Sequence, residues 1–404
     1  MPAVPHPPAF DRDERRIIHF TGFAHAATHY VELVYPTLAV GLALETGRPV
    51  EQVLSWSFVG YLLFGLGALP AGIAADRFGA RKVILGGLLV AGLSACFAGG
   101  AEPGWPIVLC LAGLGAGASL YHPAGTGLLS RAVAARGRAL GLNGIYGNAG
   151  IALSPLLTGL LVEHVGWRLT FVLTGGVLIA ATLALSRVQI VEHPVVRRAA
   201  DDEVGAAPPA RAIAVFGVLC LTATLGGFAY RGNTVAQPAL FAEQIHFMGY
   251  GAAASLAMLV GIAGQYLGGI IADSRELRAS YLCFHLASLP MLVLIALTTS
   301  WPLLFVSSLY VFFALGMQPI ENSLFATLTP ERWRSTAYGL KFVLTFGIGS
   351  TAVWMVRGVA ASFDWSAVYW VLAGVSLALI SSIGLLFGLT RRRPVRNREE
   401  PARA

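Results

Sequence analysis

Charge is what this sequence has least of. Only 12% of its 404 residues are Asp, Glu, Lys or Arg, against about 25% in a typical soluble domain. With 56% hydrophobic residues and a mean hydropathy of +0.68, a soluble globule is excluded and a chain that crosses a bilayer many times is expected. Lysine is nearly missing, since Lys82 and Lys341 are the two in the sequence. Cysteine is scarce as well. Cys96, Cys110, Cys220 and Cys283 all fall in apolar runs without a Cys-x-x-Cys pair, so they read as small buried hydrophobes and not as a disulfide, redox or metal framework. No Gly-x-x-x-x-Gly-Lys-Ser/Thr phosphate loop occurs, which excludes ATP as the energy source. Nor is there a Gly-x-Ser-x-Gly elbow or a His-Glu-x-x-His helix, so a membrane hydrolase lacks its chemistry.

What is present is apolar run after apolar run. About 20 apolar residues cross a bilayer, and twelve such runs lie near 17–41, 51–74, 82–99, 105–130, 139–162, 168–187, 212–238, 249–272, 279–299, 301–328, 336–360 and 366–390. The formal charge of +7 invites a nucleic-acid reading, but the basic residues alternate with the loops. Arg12, Arg15 and Arg16, then Arg77, Arg81 and Lys82, then Arg131, Arg136 and Arg138 share one side with the later basic clusters. The opposite loops hold Arg48 and Arg168. The positive-inside rule therefore places both termini in the cytoplasm and makes the charge a record of topology. The expected fold is all-α: twelve transmembrane helices in two pseudo-symmetric six-helix bundles in the inner or plasma membrane. The expected parts are an N-tail (1–16), a first bundle (17–187), a flexible linker (188–211), a second bundle (212–390) and a C-tail (391–404). The N-tail carries Asp11, Asp13 and Glu14 and no small-residue cleavage site of a removable signal, so the first helix is expected to be its own insertion signal.

The halves are announced by repetition. Gly72-Ile-Ala-Ala-Asp76-Arg77-Phe-Gly79-Ala-Arg81-Lys82 returns as Gly269-Ile-Ile-Ala-Asp273-Ser-Arg275. Trp105-Pro106 is matched by Trp301-Pro302, and Gly166-Trp167 by Asp364-Trp365, all at offsets of about 197 residues. These Trp residues are expected at the membrane interfaces.

The first copy resembles the loop 2-3 signature of the major facilitator superfamily of secondary transporters at every fixed position. The resemblance implies that Gly72, Asp76, Arg77, Gly79 and Arg81, with Asp273 in the repeat, clamp neighbouring helices in one state of a transport cycle. In the fifth run, Gly150-Ile-Ala-Leu-Ser154-Pro155-Leu-Leu-Thr158-Gly159 is similar to the superfamily's antiporter motif, with Ser and Thr at two of its glycines. That likeness implies export by exchange with protons. The Arg that such exporters carry in the fourth helix is missing here. Instead, Tyr121-His122-Pro123 and Asn148-x-Gly150 look like the fosmidomycin-resistance-type exporters. The resemblance also implies that helices 1, 4, 7 and 10 line a central cavity, that the transporter works as a monomer, and that it needs no cofactor.

Ionisable residues inside spans are expensive and mark function by default. His25, His29 and Glu32 follow i, i+4, i+7 spacing and stack on one helix face. With His122 they are candidates for carrying a proton. Their spacing also suits a transition metal. With no Met or Cys cluster beside them, no metal is expected, and metal transport stands behind proton-coupled export and proton-coupled uptake of an organic anion. Arg231 and Lys341 are candidates for an anionic substrate, with Glu321 a counter-ion for either; an interhelical salt bridge is the structural alternative. Tyr121, Asn143, Tyr146, Asn148, Gln265, Tyr266 and Asn322 supply neutral polar edges.

Overall fold

The computed structural model describes residues 10–133, 136–192, 210–329 and 334–390. Most of the N-tail, the bulk of the linker and the C-tail lie outside the described residues, as do Arg197, Arg198 and Arg332. The described chain is helical nearly throughout, without a strand among the described residues.

The order is α1 (Arg12–Thr46), α2 (Val50–Ser55), α3 (Phe58–Leu66), α4 (Ala68–Phe78), α5 (Ala80–Gly100), α6 (Trp105–Ser119), α7 (Tyr121–Ala132), α8 (Arg136–Ser186), α9 (Ala210–Gln244), α10 (Tyr250–Ser274), α11 (Leu277–Leu297), α12 (Ser300–Leu328), α13 (Arg334–Phe342), α14 (Ala352–Ser362) and α15 (Trp365–Thr390). Nine described helices are long and apolar enough to cross a membrane. The second crossing is broken, with a 47° bend between Val50–Leu66 and Ala68–Phe78. Within α8, Gly166 at φ 74° interrupts the helix and makes two crossings of it. Helix α1 completes the set, interrupted by its own polar stripe and by Pro36. These are the twelve spans of two six-helix halves.

Local signals set the ends. Asp11 accepts from the Glu14 amide at 2.7 Å while the Glu14 carboxylate accepts from the Asp11 amide at 3.1 Å, a capping box that starts α1 in the midst of the N-tail arginines. Gly47, left-handed at φ 63°, ends it. The eleventh crossing runs from α13 through a π-turn at Val343–Gly347 and a 3₁₀ turn at Ile348–Thr351 into α14, and such irregular turns cluster at moving parts. Trp105 and Trp301, at equivalent starts of the fourth and tenth crossings, are exposed as interfacial anchors should be. Trp167 is not: it is buried against Phe171, with the Arg168 guanidinium over its ring. There the aromatic ring packs between helices and the cation takes the outer position.

The halves touch through small residues. Gly159 lies against the Gly251 backbone, where a Cβ on Gly251 would meet the Pro155 carbonyl at 2.3 Å, and one on Gly65 would meet the Gly347 amide at 2.1 Å, so bare backbone is what allows these crossings. Within the first half, Gly150 lies against the Ala26 carbonyl in the same way. The fifth-span motif therefore packs α8 on α1 through Gly150 and on α10, in the other half, through Gly159.

Candidate functional site

The stripe on α1 folds as its spacing requires, and the rest of the chain closes around it. Glu32 is buried and spends both carboxylate oxygens. Oε1 accepts from Arg231 Nη2 at 2.6 Å and Oε2 accepts from His29 Nδ1 at 2.7 Å. Arg231 sits on α9, so this ion pair joins the first crossing of one half to the first crossing of the other. Both partners are 1% exposed by side chain. The guanidinium carbon lies 3.6 Å from the centroid of the Tyr61 ring, and the Tyr61 hydroxyl donates to the Glu32 carbonyl at 3.2 Å. A cation with its carboxylate and an aromatic face satisfies part of the guanidinium. Arg231 Nε and Nη1 remain buried without a hydrogen-bond partner among the described residues.

One turn back, His25 donates from Nδ1 to the Asn143 carbonyl at 2.8 Å and stacks on Tyr121 at 4.8 Å. Tyr121 and Asn143 also bond to each other, the Asn143 amide donating at 2.8 Å. The break between α6 and α7 brings His122 beside these groups, its ring 5.3 Å from His25 and 5.1 Å from His29. Phe64, Phe342 and Phe346 close its other sides. Of the predicted residues, His25, His29, Glu32, His122, Tyr121, Asn143 and Arg231 thus share one buried cluster.

The others divide. Glu321 is the counter-ion of Lys341, at 2.6 Å, and accepts from Tyr281 at 2.8 Å. Lys341 also donates to the Asn322 side chain at 2.5 Å. Glu321 does not pair with Arg231, which takes Glu32 across the interface because α1 and α9 meet there. The excess of cations read in the second half is therefore balanced by an acid from the first. Tyr146, on α8, meets α1 farther toward its start, bonded to His19 Nδ1 at 2.8 Å. Gln265 keeps a buried Oε1 without a partner among the described residues, and Asn148 is buried. Tyr266, read as a lining residue, is 74% exposed and faces away from the interior.

The repeated loop makes polar contacts with neighbouring segments in both halves. Asp76 reaches Arg131 at 3.8 Å, and Gly79, at φ 91°, makes the reversal from α4 into α5. Arg81 donates to the carbonyls of Val188, at 3.2 Å, and Ser186. Glu192 accepts from the amides of Ala80, at 2.7 Å, and Arg81, at 2.9 Å, so a carboxylate meets the positive start of α5. Both Val188 and Glu192 fall in the stretch expected to be flexible linker, whose first residues are instead tied down. Arg77 lies over Phe78, and Asp273, in the repeat, is exposed. In the second half Arg278 takes the part of Arg81, donating to Thr390 at the end of α15 at 2.7 Å. The offset of about 197 residues carries Arg81 onto Arg278, a signal the shorter repeat stops short of. Glu276 caps α11 through the Ala279 amide at 2.6 Å. Partial burial alone would raise its carboxyl, but the Arg278 and amide bonds outweigh that and hold it below the ordinary range.

One interface residue gave no sequence signal. Ser255, on α10, accepts from the Leu156 amide at 2.9 Å and donates to the Ala152 carbonyl, the group the Leu156 amide would otherwise meet four residues back. Beside Pro155 a side chain from the other half is thus inserted into the helical ladder. Ser255→Ala should loosen this seam by about 1 kcal/mol. A cysteine placed on α8 near Gly159 should then react faster with a membrane-impermeant thiol reagent; an unchanged rate would show that the hydroxyl does not hold the halves.

A family model described as Major Facilitator Superfamily matches residues 18–353, and again 219–404. The chain belongs to the major facilitator superfamily. Its curated relatives include the methylenomycin A resistance protein of Bacillus subtilis, 32% identical over 33% of this chain and 31% of the relative. The cephamycin export protein of Amycolatopsis lactamdurans is 32% identical over 37% and 32%. The chain spans about a third of the length of these relatives. Among solved structures, an inward-facing bacterial homologue of the lysosomal transporter Spinster superposes with a TM-score of 0.71, 15% identity, and coverage of 94% of this chain and 96% of that one. A peptide-bound POT family transporter gives 0.77 with 12% identity over 93% and 96%. At these identities the structures carry the superfamily fold alone.

Proposed function

We propose that this chain is a monomeric secondary transporter that works by alternating access in a cell membrane, exporting a drug-like or anionic small molecule in exchange for protons, with both termini cytoplasmic. The observation that carries the reading is the Glu32–Arg231 pair, one charge from each half, buried where the halves meet. Charged Glu32 holds α1 to α9. A proton on Glu32, or a ligand on Arg231, removes that attraction, so both species act on the same contact between halves. His29, bonded to Glu32 and adjoining His25 and His122, is the path by which the proton arrives and leaves. Arg231, with two free donors, is the group that receives the substrate. Tyr121 and Asn143 beside His25, and Lys341, Glu321 and Asn322 in the second half, shape the rest of the path. The resistance and export names of the relatives support export.

One observation favours a second reading. Protonation of Glu32 releases Arg231, so a proton and an organic anion would bind together, which is the logic of uptake by symport. Purified protein in liposomes that contain a pH dye and are loaded with methylenomycin, cephamycin or phosphonate compounds separates the two. Substrate leaving by exchange acidifies the lumen, whereas substrate leaving with a proton makes it alkaline. Efflux with no lumenal pH change would overturn both.

A further inference from the structure

Three imidazoles from two crossings converge beside the ion pair, and one ring nitrogen of each of His25, His29 and His122 lies within 4.8 Å of the other two. Their hydrogen bonds decide what those rings offer. A carbonyl only accepts, so the Asn143 carbonyl at 2.8 Å fixes the proton of His25 on Nδ1 and leaves Nε2 a lone pair. That Nε2 is buried and without a partner among the described residues. Glu32, paired with Arg231 at 2.6 Å, is likewise an acceptor, so His29 carries its proton on Nδ1 toward the carboxylate at 2.7 Å. His122 Nε2 is likewise buried and without a partner among the described residues. A carboxylate or carbonyl on the far nitrogen of a histidine is the support that orients metal-ligating imidazoles and raises their basicity. Two of the three rings here have it.

We infer that His25, His29 and His122 form a site for a first-row transition-metal dication of the zinc class, with Glu32 and the Asn143 carbonyl as its outer supports. Three neutral imidazoles with no thiolate suit zinc, nickel or copper, and leave one position of a tetrahedron open. The expectation of no metal rested on the absence of a Met or Cys cluster, which a three-histidine site does not need, and the geometry also suits a site that must release its ion. In a closed tetrahedral zinc site the nitrogens lie roughly 3.3 Å apart, given Zn–N bonds of about 2.0–2.1 Å, and these stand up to 4.8 Å apart. The rings must draw together on the ion, which weakens binding. Among the described residues Glu32 is the acidic group that touches the cluster, and it is already balanced by Arg231. The bound dication is therefore opposed by no net negative charge, which also favours release. Metal and proton compete for the same lone pairs.

The inference stands on its own observations and not on the proton-exchange reading. Its test is Co²⁺ titration of the full chain, purified on a tag free of histidine and stripped with EDTA, with near-tetrahedral visible absorption as the readout. One equivalent of Co²⁺, displaced by Zn²⁺, is expected. His25→Gln and His122→Gln should each weaken binding at least tenfold, and Glu32→Gln about 10- to 100-fold, while the exposed His164→Gln changes nothing. An absorption band that survives in a His25→Gln, His122→Gln double variant overturns the site. If that variant fails to fold, the unsubstituted protein decides: no visible band, and no rise in melting temperature with Zn²⁺, overturns it equally. Normal pH-linked flux without metal binding would sink this site alone, and metal binding without pH-linked flux would sink the exchange reading alone.

Discussion

Arg231→Met should cost the fold about 3–5 kcal/mol, the usual penalty for stranding one partner of a buried ion pair. Glu32 would keep its bond from His29 but lose the cation 2.6 Å away, in an interface walled by Tyr61, Tyr35 and Leu111. The result is a carboxylate with neither water nor countercharge. Methionine fills similar volume, so packing loss is kept small. Adding Glu32→Gln to Arg231→Met should restore most of the stability, because a neutral pair leaves no charge behind. Thermal melting of the purified variants in detergent measures both, and the single variant should recover part of its deficit on acidification, which neutralises the orphaned acid. Equal melting temperatures for the single and double variants would mean that the pair is not what binds α1 to α9.

The sequence made the architecture legible because a bilayer leaves the backbone so little choice. Apolar runs of the right length must be helices, basic loops record their orientation, and the offset of about 197 residues divides the halves. The stripe of His25, His29 and Glu32 was readable because helix geometry alone stacks residues four and three apart. Partners drawn from other helices were not readable. No periodicity says that Arg231 would choose Glu32 over Glu321, since that depends on which helices cross at which depth. His122 was visible as a buried charge candidate, but its meeting with His25 and His29 needs the break between α6 and α7 at Leu120. Ser255 looked like any serine in a span. Glu192 was lost in a stretch whose composition reads as linker, because composition does not register that the start of α5 offers unpaired amides for an acid to fill.

The functional weight of the ion pair is exposed by Glu32→Gln. The amide keeps the size of the carboxylate and can still accept from Arg231 Nη2 through its oxygen, so the halves should assemble with the attraction reduced rather than lost. What disappears is the group that alternates between charged and neutral. Pulled by a pH gradient, transport should fall roughly 5- to 150-fold, the range of a coupling energy of about 1–3 kcal/mol, and its residual rate should no longer respond to pH. Exchange of labelled for unlabelled substrate across liposomes at equal pH should persist, because that half of the cycle needs the rocking of the bundles and not the discharge of the acid. His29→Gln, which leaves Glu32 in place but takes away its imidazole neighbour, should slow the pH-driven rate and keep its pH response. If Glu32→Gln abolished exchange along with gradient-driven flux, Glu32 would be a structural strut of the closed interface, and the proton would have to enter elsewhere. If both persisted at the normal rate, the cross-half pair would play no part in coupling.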